Sequence, residues 1–160
     1  MATWTNAALK KIADQALDLE NDTLKIMLVD DDFVFDPDVD AVDPDDDSVN
    51  DAHHHEIVAT NYAGGYAGAG RQTAAIGAAV VDDTNDGIYW EIDDLIWADL
   101  GGAVNDTAGM ALLIQEITND QGSLVIAALD FTDYLTNGAD LLLRLKTDVV
   151  GGVLRIRNAT

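Results

Sequence analysis

Residues 30–56 read DDDFVFDPDVDAVDPDDDSVNDAHHHE, the stretch whose residue types come nearest to chemistry. Asp36, Asp38 and Asp40 stand at alternate positions, as the first three ligands of an EF-hand loop do, and Asp47 falls where its last ligand would. The pattern then fails. Ala41 occupies the place of the turn-forming glycine, the last acid is Asp rather than Glu, and no helical periodicity flanks the loop. Two readings remain: a looser Ca²⁺ or Mg²⁺ site on some of Asp36, Asp38, Asp40 and Asp47, or a solvated loop facing concentrated salt. The second is favoured, with no cofactor required. His53, His54 and His55 follow directly, but neighbours on an extended chain point to opposite faces. His53 and His55 therefore suit a metal only across a symmetry axis between copies.

Other catalytic patterns are thin. The serines, Ser48 and Ser123, fall in the acidic loop and in a turn, with no nucleophile-elbow context. Asp93-Asp94 could pair as acid and base, yet such pairs are expected in a chain this rich in aspartate. The glycine run GGYAGAGR at 64–71 lacks the Lys-Ser/Thr of a phosphate loop and lies between strands, so it reads as a close turn or an approach site for another chain. Trp4, Trp90 and Trp97 could stack on a sugar, but two of them lie in apolar strands, where packing is expected. No nucleophile, base and stabiliser converge, and an enzyme is not expected.

The elements that would position these residues are mostly strands. Thr5–Leu19 has helical spacing, with Leu9, Ile12, Ala13, Ala16 and Leu17 on one face and a cap at Thr5 or Asn6. TLKIMLV at 23–29 alternates as a strand, with Leu24, Ile26 and Leu28 on one face. The acidic loop follows, holding both prolines, Pro37 and Pro44. Beyond it come EIVATNY (56–62), RQTAAIGAAVV (71–81), IYWEI, DLIWADL, GMALLIQEI, SLVIAALDF, ADLLLRLK and GGVLRIR. Asn85-Asp86-Gly87 and TNDQG at 118–122 are hairpin signals. The expectation is mainly β: a single jelly-roll-like β-sandwich at 21–160, carrying an acidic loop at 30–56. A separable helix within 1–20 would precede it as a possible anchor through Lys10 and Lys11.

Composition narrows the function. The chain has 160 residues, 48% of them hydrophobic, with 30 acids against 8 Lys and Arg for a formal charge of −22. That far exceeds the usual charge of a small domain and destabilises it by self-repulsion in dilute buffer. Molar salt shortens the screening length to about 3 Å and removes most of that cost. Acids spread along the whole chain therefore suggest a halophile's protein. The same charge argues against nucleic acid or an anionic membrane as a direct partner. No run of about 18 apolar residues is present to span a bilayer, nor does the N-terminus carry a signal-peptide core. Without cysteine, disulfides and thiolate chemistry are excluded.

The order of motifs resembles a family of small β-sandwich virion structural proteins of tailed phages. DTLKIMLVDDDFVFDPDVD is similar to that family's opening strand and Asp/Pro loop, and HEIVATNYAGGYAGAGRQT to its glycine-tyrosine segment. The most specific block is VVDDTNDGIYWEIDDLIWADL, through Asp82 to Asp86, Trp90, Asp93, Asp94 and Trp97. LLIQEITNDQGSLVIAALDF resembles the last hairpin and ends in Asp130-Phe131, so the likeness spans about residues 22–156. It departs in the longer acidic loop and in the histidine run. The resemblance implies a domain that assembles on a virus particle. With the salt signature, the expectation is an oligomeric capsid decoration or turret protein of a tailed virus of a haloarchaeon, on the outside of the virion and assembled in the host cytoplasm. Its partners would be further copies in a cyclic homo-oligomer and the major capsid protein or tail proteins. The alternatives are a tail component (baseplate, fibre base or tube) and a β-sandwich binding a host-surface receptor, glycan or Ca²⁺.

Overall fold

The computed structural model describes residues 2–38, 41–43, 51–84, 86–145 and 154–157. Its elements run β1 (Thr3–Trp4), α1 (Asn6–Ala13), β2 (Leu24–Asp30), β3 (Gln72–Thr73), β4 (Val80–Asp82), β5 (Gly87–Trp90), β6 (Leu95–Leu100), β7 (Thr107–Gln115), β8 (Leu124–Leu135), β9 (Ala139–Leu143) and β10 (Leu154–Arg157). The protein is mainly β, and every strand pair is antiparallel. The described strands form a five-stranded sheet ordered β1-β8-β7-β2-β3, a three-stranded sheet β10-β5-β4 and a ribbon β6-β9.

Both faces of the five-stranded sheet are covered. Leu24, Ile26 and Leu28 of β2, with Leu113 and Ile126, face a main core shared with Trp90, Ile92, Trp97, Leu100, Leu141, Leu143 and Leu154 of the smaller sheets and their links. This is the layer pairing of a sandwich. Met27, Val29, Leu112, Ile114 and Val125 point the other way, into a second cluster completed by Val42 and Ala52 with Phe33 and Phe35 against it.

That second cluster adds an inward face to the expected acidic loop at 30–56, whose Asp31, Asp32, Asp36 and Asp38 are exposed. In its described parts the loop is a cover for the sheet. Val42 N–H donates to Ser123 O at 3.0 Å, His53 N–H to Val42 O at 3.0 Å and Asp30 N–H to His55 O at 2.8 Å. The cause is apolar: a strand buried on both faces needs a lid, and the few apolar side chains among the aspartates supply it.

The amino-terminal segment also differs from expectation. The helix stops at Ala13 rather than Leu19, because Gln15 takes a left-handed conformation (φ 57°) and turns Leu17 and Leu19 into the core. Nor is the segment separable. β1 adds to the edge of β8, and Thr5, fully buried, joins sheet to helix. Its hydroxyl donates to Val125 O at 2.7 Å and accepts from Ala8 N–H at 3.2 Å as the helix cap. Lys10 pairs with Asp14, the residue that caps the carboxyl end of α1.

Two more strands are shorter than their patterns. EIVATNY contributes one bridge, Val29↔Glu56, and then leaves the sheet. RQTAAIGAAVV divides between sheets, β3 pairing with β2 and β4 with β5. Both hairpins form as expected, β4–β5 around Asp86 and β7–β8 around residues 116–123.

Thr5→Ala removes both side-chain bonds from a buried position and should lower unfolding free energy by about 1–2 kcal/mol. Chemical denaturation in molar KCl measures it. Deleting residues 2–13 should abolish the cooperative transition instead of yielding a shorter folded domain.

Candidate functional site

The side chains singled out by sequence do not converge. Asp38 Oδ1 accepts from Asn6 Nδ2 at 2.6 Å and Asp36 Oδ1 from Asp38 N–H at 3.0 Å, so both shape the turn that meets α1. Asp40 and Asp47 lie outside the described residues. His53 Nδ1 sits 3.3 Å from Asp120 Oδ2, whereas His55 Nδ1 sits 2.7 Å from Asp30 Oδ1, so the two histidines serve different partners. Among the described residues no group of three or more His, Asp or Glu side chains is arranged to hold a metal ion. Trp90 and Trp97 are core residues, as expected, and Trp4 meets Trp90 edge-on with ring centroids 6.2 Å apart. The Ser123 hydroxyl donates to Asn119 O at 2.6 Å within its turn.

Among the described residues, a dense convergence of charged groups lies elsewhere, around Arg71. Its guanidinium is wholly inaccessible to solvent and donates five hydrogen bonds. Nε and Nη2 grip Glu56 at 2.9 and 2.7 Å. Nη1 and Nη2 reach Asp120 at 2.5 and 3.2 Å, and Nη1 also reaches Glu116 at 3.1 Å. Every N–H of the fork is thereby matched. Lys25 Nζ, 2.9 Å from Glu116 Oε2, adds a second cation. Three carboxylates thus face two basic side chains, with His53 at the margin against Asp120.

The glycine run exists to close around this cluster. Gly65 N–H donates to Glu56 Oε2 at 2.7 Å and Ala67 N–H to Glu116 Oε1 at 3.2 Å. A Cβ on Gly64 would come within 2.9 Å of the Glu56 carboxyl, and one on Gly70 within 2.8 Å of the Tyr62 ring. Trp97 Nε1 fastens the end of the run, donating to Gly70 O at 2.7 Å. Tyr62 completes the shell: its hydroxyl donates to Glu56 Oε1 at 2.9 Å and accepts from Leu28 N–H at 3.1 Å.

The electrostatics follow from this geometry. Burial alone would lower the basicity of Arg71, but its bonds to Glu56 and Asp120 and their charges more than reverse that, so it stays charged at every accessible pH. Burial, and then the Glu56 charge, push the Tyr62 hydroxyl well above its ordinary range. Donors that are all engaged, around a cation that does not titrate, form a clamp. It ties β2, the 56–71 segment, the end of β7 and the β7–β8 turn into one body.

Sequence reasoning passed over this clamp because Arg71 read as the end of a glycine turn. A signal was present. Glu occurs at only four positions in a chain whose other acids are Asp, and two of them, Glu56 and Glu116, are in the clamp. The longer side chain reaches a guanidinium that Asp at those positions would miss.

A second buried pair supports the smaller sheet. Arg155 Nη2 lies 3.0 Å from Asp82 Oδ2, its guanidinium carbon is 5.9 Å from the Tyr89 ring centre, and its carbonyl accepts from Trp4 Nε1 at 2.9 Å.

Arg71→Ala would leave three buried carboxylates facing one lysine, and should cost at least about 3–5 kcal/mol, enough to unfold a marginal domain. Denaturant titration in molar KCl reads it. The pH dependence has a definite sign. Because the folded state raises the Tyr62 pKa, its contribution is complete below the unfolded value of about 10 and is lost as pH rises beyond it. The thermal midpoint should therefore fall steeply above about pH 10, and Tyr62→Phe should flatten that fall while lowering the neutral-pH midpoint.

No protein-family model, curated protein or solved structure matches this chain.

Proposed function

We propose that this chain is an external structural protein of a salt-adapted tailed virus, an oligomeric decoration or turret subunit on the capsid. The observation that carries the reading is the separation of charge. Of 8 basic residues, Arg71 and Arg155 are withdrawn into buried ion pairs and Lys25 into a largely buried one, while 30 acids leave the exterior strongly negative. An exterior of that kind suits brine, where screening removes most of the self-repulsion. The motif order from about residue 22 to 156, with the Asp82–Asp86 block at its centre, supports a virion role through its resemblance to the small β-sandwich proteins of tailed phages. A sheet covered on both faces and a saturated clamp give a rigid subunit, which a particle surface requires.

Two measurements test the reading. The thermal midpoint should rise by tens of degrees between about 0.1 and 3 M KCl as the screening length shrinks. A midpoint independent of salt would remove the halophilic half. Immunogold electron microscopy of particles kept in high salt should show label spread over the head. Label on the tail alone would make the protein a baseplate or fibre-base subunit, and its absence from particles would end the virion reading.

A further inference from the structure

A cavity of about 380 Å³ opens where the chain leaves α1, within the size range of small-ligand sites. Ile12, Leu17, Leu19 and Trp90 give it an apolar lining, and Asp18 and Glu20, both exposed, give it two acids. Gln15 completes it, its left-handed backbone (φ 57°) turning the chain from the helix into the segment that holds the leucines. The Asn21 side chain, and then the Glu20 N–H, hold the Asp18 carboxyl below its ordinary range, so it is charged at neutral pH. No basic side chain lines the hollow among the described residues. The lysines of α1 are turned elsewhere: Lys10 pairs with Asp14, and Lys11 lines a separate hollow with Ala41 and Gln121.

Glu20 also joins the hollow to a sheet edge. Its Oε1 accepts the Ala79 N–H at 2.9 Å, just before β4, which has a neighbour on one side only in the order β10-β5-β4. Ala78, Ala79, Val80 and Val81 are exposed and uncharged, Val81 to 70%. Open strand edges are ordinarily blunted by charge, proline or a bulge, because they invite other chains. Asp82 is the first acid beyond these four residues, and it is buried against Arg155. An acidic, apolar-lined hollow thus adjoins an uncharged open edge.

We infer that hollow and edge together receive an extended segment of a partner protein, with a lysine of that segment seated in the hollow. The lining selects the side chain: apolar residues beside two carboxylates match an aliphatic stem with a cationic tip. The acids select ammonium over guanidinium. Asp18 already accepts from the Glu20 and Asn21 N–H groups and from the Asn21 amide, and Glu20 Oε1 from Ala79, so neither carboxylate offers the free pair of oxygens that a planar fork engages. A compact ammonium needs a single oxygen, which Glu20 Oε2, without a hydrogen bond among the described residues, supplies. The edge selects the source. A free amine uses the hollow alone, whereas an extended chain also covers the exposed 78–81 side chains, as strands added to open edges do. In molar salt the screening length is about 3 Å, so acids that do not touch the ligand contribute little and the site discriminates by contact. The inference is independent of the virion reading, because it names the chemistry of a partner and not a place on a particle.

Methyl and indole NMR on the full chain in molar KCl tests it, with the peptide acetyl-Val-Lys-Val-amide as probe. The peptide should shift the Leu17, Leu19 and Trp90 signals. Its norleucine counterpart, which keeps the stem and loses the charge, should bind at least threefold more weakly. So should n-butylammonium, which is the lysine side chain without the segment. Glu20→Gln keeps an acceptor for Ala79, and Asp18→Asn keeps one for its turn, and each should weaken the peptide at least threefold. Asp133→Asn removes the same charge from an exposed position on β8, outside the surface, and should change nothing. No shift at the three reporter residues, equal binding of the norleucine peptide, unchanged binding in the folded Glu20→Gln variant, or an equal loss with Asp133→Asn would each overturn the proposal. Butylammonium binding as tightly as the peptide would make this a site for free amines and overturn the choice of a protein partner. None of these bears on immunogold labelling, so the failure of one reading can be told from the failure of the other.

Discussion

Among the buried cations, the structure depends most on Arg71. Removing a guanidinium from water costs several kcal/mol even after relaxation, and nearby carboxylates offset this only when every donor is engaged with good geometry. Arg71 meets that condition with five bonds to three carboxylates, Glu56 from one part of the chain and Glu116 and Asp120 from the β7–β8 turn. The surrounding backbone is shaped by the same demand. Gly65 and Ala67 take left-handed conformations, φ 81° and 58°, and their N–H groups bind Glu56 and Glu116. For alanine that conformation costs about 1–2 kcal/mol. It persists because the alternative leaves a buried carboxylate short of a donor. Strand pairing alone would not hold the 56–71 segment, which makes one bridge to β2, at Glu56, before the two-residue β3 follows it.

The clamp also explains how so acidic a protein folds around so few cations. A surface Lys–Asp pair such as Lys10–Asp14 contributes at most about 1 kcal/mol, and molar salt screens it further. A buried pair is screened far less. Withdrawing Arg71 and Arg155 from the surface therefore puts part of the scarce positive charge where salt screens it little, and leaves the exterior strongly negative. The negative exterior and the charged interior are two sides of one distribution.

Legibility from the sequence followed the period of the side chains. TLKIMLV, GMALLIQEI, SLVIAALDF and ADLLLRLK alternate or run apolar over five residues or more, and all became strands close to where the pattern puts them. The reading failed where local pattern and tertiary demand diverge. The helical spacing continues to Leu17, but that leucine is needed in the core, and Gln15 turns the chain to deliver it. EIVATNY has strand composition, yet Glu56 and Tyr62 are drawn to Arg71 from both ends of the segment. The clamp was hidden because its members lie at 25, 56, 62, 71, 116 and 120, and no spacing rule links residues that only a sheet edge and a hairpin turn bring together.

The acidic loop shows why composition alone misplaces a segment. Counting aspartates predicts a stretch that shuns the protein, but position is set by the side chains with most to gain from burial. Phe33, Phe35, Val42 and Ala52 cover Met27, Val29, Leu112 and Ile114, and fully burying a side chain such as Ile114 or Leu112 is worth roughly 1.5–3 kcal/mol. The neighbouring acids need only reach water, which a chain crossing the outside of a sheet lets them do: Asp31, Asp32, Asp36 and Asp38 are exposed while the phenylalanines beside them are half-buried. One segment thereby covers an apolar face inwardly and carries negative charge outwardly. Charge in this chain marks the boundary with solvent rather than the segments that leave the core.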